Sequence, residues 1–219
     1  MLVSEIVNTS LPSLNINDRV SFALDLMDDY DVLELPVVSE KKYLGIISKD
    51  ELTDAETHEM KIASLGHLQG FAIRIDEHFL TALQLISQNE LSLLPVINHQ
   101  QELEGVILLK ELARTITQFT GAAERGAVIV LEIEKRNFSF GELSRLIETN
   151  DAYITQLNTY TEPATGLMIV TIKINKVEVS SIIATLQRYE YTVRYYFGRE
   201  DYANELKENY DHLMSYLNM

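Results

Sequence analysis

No cysteine occurs anywhere in the chain. That excludes disulfides, thiolate nucleophiles and thiolate metal sites, and it agrees with a reducing compartment. No apolar run approaches the roughly 20 residues that a bilayer span needs. The opening Met1-Leu2-Val3-Ser4-Glu5 has neither the basic nor the apolar region of a secretion signal. The expectation is a soluble, cytoplasmic protein with no membrane partner. Positive charge is scarce: 18 Lys and Arg stand against 33 Asp and Glu, a formal net charge of −15. Such a surface repels phosphate backbones, which argues against a nucleic-acid partner. The histidines (His58, His67, His78, His99, His212) are scattered, and none stands at metal-ligand spacing with another. Asp25, Asp28, Asp29 and Asp31 lack the glycine and alternating spacing of a calcium loop. No phosphate-cradling glycine loop and no catalytic constellation is present, so the chain does not read as an enzyme.

What is present is a duplication. Leu35-Pro36-Val37-Val38, followed by Gly45-Ile46-Ile47-Ser48, returns as Leu94-Pro95-Val96-Ile97, followed by Gly105-Val106-Ile107-Leu108. A shift of 59 carries Ile16 to Ile75, Ala23 to Ala82, Leu24 to Leu83, Leu26 to Leu85 and Pro36 to Pro95. One extra turn residue makes the shift 60, which carries Gly45 to Gly105 and Leu52 to Leu112. A repeat of this length denotes one supersecondary unit whose apolar face needs its sibling. Within it, Asn17-Asp18 reads as a helix start. Val20, Ala23, Leu24 and Met27 form one helical stripe. Leu35–Val38 and Tyr43–Ile47 read as strands about the Lys41-Lys42 turn, and Ser48 opens a further helix. The second copy repeats the order: a helix from Ile75-Asp76-Glu77, strands over Leu93–Ile97 and Leu103–Leu109, and a helix over Lys110–Phe119.

Gly121-Ala-Ala-Glu-Arg-Gly126 is a small-residue break and marks a boundary. Beyond it come a strand over Ala127–Ile133 and a helix opened by Phe140-Gly141-Glu142-Leu143. Strands over Tyr153–Tyr160 and Leu167–Ile174 flank a loop at Glu162–Gly166. A helix follows with Val179, Ile182, Ile183 and Leu186 on one stripe, then a strand over Tyr191–Phe197. This β-α-β-β-α-β order predicts a ferredoxin-like domain. Its central strands lack the aromatic and basic residues of an RNA-binding sheet. Residues 199–219 carry Tyr202, Leu206, Tyr210, Leu213 and Leu217 near a helical period, which predicts a C-terminal helix.

The repeated apolar-Pro-Val-apolar and Gly-apolar-apolar-Ser/Thr-x-x-Asp blocks resemble the CBS domain, and the tandem resembles a CBS pair, or Bateman module. The segment around Gly141-Glu142-Leu143, with Asn137 and Phe140 before it, resembles an ACT domain. Together they resemble regulatory proteins of the acetoin-utilisation type. The resemblance implies an α+β fold: CBS units over 1–60 and 61–121, an ACT-like domain over 126–198, and the helix over 199–219. It implies a non-catalytic, homodimeric ligand sensor acting on an unknown regulated protein. The implied ligand is adenosine-containing (AMP, ATP, NAD or S-adenosylmethionine), held by Leu35, Pro36, Gly45, Ile47, Ser48 and Glu51. A second, degenerate cleft comprises Pro95, Gly105, Leu108 and Glu111. Glycine there lets a ligand come close, and the hydroxyl and helix start face its phosphate. Glu51 and Glu111 stand where the family has Asp, and Leu108 stands where it has a hydroxyl. Ser48-x-x-Glu51 also reads as a capping box that binds nothing. The ACT resemblance implies an amino acid near Asn137, Phe140, Gly141 and Leu143, with Gly141 equally readable as a helix-start glycine. The alternative to sensing is a protein-interaction module with vestigial clefts.

Overall fold

The computed structural model describes residues 1–198; the expected helix over 199–219 lies outside the described residues. The chain divides into two compact units, one over Met1–Thr117 and one from Gln118 onward. The fold is mixed α+β.

In the first unit the repeat is built twice. The first copy comprises β1 (Leu14–Asn15), α1 (Val20–Tyr30), β2 (Glu34–Ser39), β3 (Lys42–Ser48) and α2 (Lys49–Thr53). The second comprises β4 (Ile73–Arg74), α3 (Phe79–Asn89), β5 (Leu93–Ile97), β6 (Leu103–Leu108) and α4 (Leu109–Phe119). Each copy makes a three-stranded sheet, β1-β2-β3 and β4-β5-β6. The short first strand pairs parallel to the second, with Leu14 opposite Val37 and Ile73 opposite Val96. The apolar stripe of α1 supplies Val20, Ala23 and Met27 to a core with Leu35, Val37, Ile47 and Leu52. Phe79, Ala82 and Ile86 of α3 do the same with Leu94, Val96, Ile107 and Leu112.

Both early helices start later than the sequence suggests. Helix α1 begins after Arg19, which makes no side-chain cap. Asn17 and Asp18 are spent in the preceding turn, where Asp18 Oδ2 accepts from Asn15 N at 2.7 Å and Asn15 Oδ1 accepts from Asn17 N at 2.9 Å. The free first-turn donors find tertiary partners instead: Val20 N and Ser21 N donate to the carbonyls of Met60 and His58, both at 2.9 Å. Helix α3 begins at Phe79 rather than at Ile75, capped by His78.

The segments leading into the two copies are exchanged. Residues 62–69 follow the first copy and lie against its sheet: Ile62 N donates to Asp18 O at 3.0 Å, and Ile46 and Gln69 exchange backbone bonds at 2.8 and 3.1 Å. Residues 3–8 precede the first copy but lie against the second. Val3 N donates to Glu77 O at 2.9 Å, and Asn8 and Val106 exchange bonds at 2.7 and 2.9 Å. Ile62 is buried in the first core and Val3 in the second.

The second unit runs β7 (Ala127–Ile133), α5 (Phe140–Glu148), β8 (Ile154–Thr161), β9 (Met168–Ile174), α6 (Ser180–Arg188) and β10 (Thr192–Phe197). Its antiparallel sheet has the order β10-β7-β9-β8, the ferredoxin-like arrangement. Ile129, Leu131, Val170 and Ile172 pack under Leu143, Leu146, Ile182 and Leu186 of the two helices.

Candidate functional site

Ser48 ends β3 in an extended conformation and caps α2. Glu51 N donates to Ser48 Oγ at 3.2 Å, while Glu51 Oε2 accepts from Ser48 N at 2.8 Å and from Ser48 Oγ at 2.9 Å. The capping box is therefore complete. The other carboxylate oxygen, Glu51 Oε1, accepts from Gln69 Nε2 at 3.3 Å. Partial burial pushes the Glu51 carboxyl up, but the bonds from Ser48 and Gln69 and the nearby His67 together hold it below the ordinary carboxylate value. Helix α2 has only 5 residues, too few for much of a macrodipole.

The second copy carries the same device without the hydroxyl. Glu111 Oε2 accepts from Leu108 N at 3.1 Å, and Glu111 Oε1 accepts from Asn8 Nδ2 at 2.7 Å. Each glutamate thus holds a helix start with one oxygen and a carboxamide of an exchanged segment with the other.

The repeated glycines serve the same crossing. Gly45 and Gly105 both have φ +155°, and each lies beneath an exchanged segment. A Cβ on Gly45 would stand 2.6 Å from Leu68 Cβ, and one on Gly105 would stand 2.5 Å from the Asn8 carbonyl oxygen. The close approach made at these glycines is that of the chain itself. Leu35, Pro36, Ile47 and Pro95 are buried.

Among the expected residues of the second cleft, Leu108 lines a depression of about 550 Å³. Its walls come from separate stretches of both copies: Asn8, Ser10 and Leu11; Tyr30 to Leu33; Ser92; and Leu108 to Lys110. Ser92 is fixed by Glu34, whose Oε2 accepts from Ser92 N and Oγ, both at 2.9 Å. Ile47 and Glu51 border a separate depression of about 430 Å³, where Asp54, Glu56 and His67 bring further polar groups. Asn8, Tyr30 and Leu33 were not read as site residues from sequence. The available signal was the carboxamide present in both leading segments, Asn8 and Gln69.

In the second unit a cleft of about 710 Å³ lies beside the β7–α5 turn, lined by Glu132, Glu134, Asn137, Glu142 and residues 189–192. Tyr191 Oη donates to Glu142 Oε2 at 2.7 Å. Burial, and then the Glu142 carboxylate, push the Tyr191 phenol up to about 12. Of the expected amino-acid contacts, Asn137 lines this cleft. Phe140 and Gly141 are exposed at the helix start and Leu143 lies in the core.

The family model of the CBS domain matches residues 3–58 and 71–118. A homoserine O-acetyltransferase of Methanobrevibacter ruminantium is 28% identical over 123 residues, 54% of this chain and 24% of its own length. An inosine-5'-monophosphate dehydrogenase of Methanocaldococcus jannaschii is 26% identical over 111 residues, 50% of this chain and 22% of its own length. The chain thus spans under a quarter of the length of these curated relatives. Among solved structures, a CBS domain pair/ACT domain protein from Thermotoga maritima superposes with a TM-score of 0.51 at 21% identity, covering 54% of this chain and 98% of that one. No helix among the described residues is long and apolar enough to cross a membrane.

Proposed function

Residues 3–58 and 71–118 being a tandem pair of CBS domains, we propose that the chain is a regulatory ligand sensor without catalytic activity of its own. One observation carries the reading: the cleft at Leu108 draws its walls from the leading segment, from the α1–β2 connection of the first copy and from two stretches of the second. A ligand lying there contacts both copies at once, so its binding energy depends on their relative arrangement and biases it.

The ligand class proposed for the pair is adenosine-containing, with AMP, ATP, NAD and S-adenosylmethionine as the candidates. The first copy supports this through Ser48 and Lys49, a hydroxyl and an ammonium at one chain step. Lys49 currently pairs with Asp28, and Ser48 with Glu51. A nucleotide there exchanges those partners for phosphate and ribose. The second unit is proposed to be an ACT-like domain that takes an amino acid in the cleft beside Asn137. Assembly as a homodimer, action on a separate regulated protein and a cytoplasmic setting complete the proposal.

Titration calorimetry of the full chain with the four adenosine compounds tests it. At least one is expected to give saturable heat that Ser48→Ala weakens. No heat from any of them up to about 1 mM, a ligand range with only about 4 kcal/mol of binding free energy, overturns the nucleotide reading. A thermal-shift series with the amino acids tests the second unit in the same way.

A further inference from the structure

The two copies present unequal chemistry at their helix starts. The first has Ser48-Lys49-Asp50 and the second has Leu108-Leu109-Lys110. The hydroxyl is gone from the second, and both oxygens of Glu111 are engaged, by Leu108 N and by Asn8 Nδ2. Both glutamates are engaged alike, so what separates the second copy is the missing hydroxyl, with Leu108 in the place of Ser48. What remains is an apolar wall: Leu33 is 63% exposed and Leu109 50% exposed, facing a space of about 550 Å³ that Tyr30 also borders. That volume falls in the range of small-molecule sites.

Charge narrows the class. Lys110 borders the cleft and forms no ion pair among the described residues. Asp31, next to Tyr30 in the chain, also lines the cleft. A single ammonium supplies counter-charge for one negative charge, and the Asp31 carboxylate adds repulsion that disfavours a di- or triphosphate. The lysine lies in the first turn of an 11-residue helix whose start the Glu111 carboxylate already holds, which leaves the Lys110 ammonium as the cation of this lining.

We propose that the cleft at Leu108 binds a small amphipathic monoanion, an apolar body carrying one carboxylate, with the body against Leu33, Leu108, Leu109 and Tyr30 and the carboxylate at Lys110. This rests on reading the clefts as ligand sites, but it does not depend on a nucleotide at the first copy. The pair then reads two chemistries, polar at Ser48 and amphipathic at Leu108.

The test uses the full chain and 1-naphthoate as the probe, with neutral 1-naphthalenemethanol, decanoate and AMP beside it. Saturable binding of 1-naphthoate at one site is expected by calorimetry. Lys110→Gln is expected to weaken it about fivefold, the order of an exposed charge pair. Leu33→Ser should weaken it about tenfold through lost apolar contact. Both side chains are exposed, so these variants leave the fold intact, which circular dichroism checks. The neutral analogue should bind as the Lys110 variant binds the acid. Tighter binding of decanoate than of 1-naphthoate supports an acyl body over an aryl one. Three outcomes overturn the proposal: no saturable binding below about 1 mM, binding unchanged in both variants, or AMP displacing 1-naphthoate more strongly than decanoate does. AMP heat that responds to Ser48→Ala and not to Lys110→Gln leaves this cleft's assignment standing. Loss of that heat, with 1-naphthoate still bound, removes only the nucleotide reading.

Discussion

Gly45 and Gly105 occupy equivalent places in the two copies, and each accepts a crossing segment where a side chain would stand. The added methyl of Gly105→Ala would press on a backbone carbonyl at 2.5 Å, and that of Gly45→Ala on Leu68 Cβ at 2.6 Å. Both substitutions also impose a φ that L residues rarely adopt. Each is expected to cost about 1–3 kcal/mol or more, read as a lowered urea midpoint, because both methyls also meet backbone carbonyls, that of Asn8 at 2.5 Å and that of Gln69 at 2.9 Å. A midpoint unchanged in both would refute the close approach. Glu51 supplies a second residue-level prediction. Its carboxyl is held below the ordinary value of 4.5 in the folded chain, so its contribution to stability is present above that value and fades as pH falls through the lowered one. Glu51→Gln is expected to be less stable than the parent at neutral pH, with the gap closing on acidification. Parallel stability-against-pH curves would contradict this.

At the scale of elements, the exchanged leading segments decide how the first unit is completed. Val3 is fully buried in the second copy's core, though the first copy's elements separate it in sequence from the strands it covers. Val3→Ala is expected to destabilise the first unit by about 2 kcal/mol through lost burial and a small cavity. Ile62→Ala is expected to cost about 2–5 kcal/mol, acting on the first copy's core. Chemical denaturation checks both; Val3→Ala behaving like a surface substitution, within about 0.5 kcal/mol, would mean that the segment does not complete the core. The strands of both copies were legible because their apolar runs are bounded by turn chemistry. The helix starts were less so. Asn17 carries the composition of a cap, yet the carbonyls of His58 and Met60 satisfy the first turn of α1, and no local pattern announces a partner 40 residues away.

At the scale of the whole molecule, the two units have separate cores, one pair in the repeats and one beneath α5 and α6. Calorimetry is expected to resolve two unfolding transitions, and a ligand of either CBS cleft should raise only the one belonging to residues 1–117. A single cooperative transition shifted as a whole would contradict this. The duplicated pattern and the ferredoxin-like order are properties of residue order. They follow from hydrophobic period and turn chemistry, which are local, so the sequence by itself determined them. It also placed Ser48, Glu51 and Glu111 at helix starts, because a capping box spans only four positions. Tertiary structure alone decided that Gly45 and Gly105 lie under crossing segments, that Asn8 and Gln69 hold the two glutamates, and that Tyr30, Leu33 and Lys110 border one cleft. Those relations join residues up to about a hundred positions apart, and burial and close approach at such distances are set by how the packed copies meet.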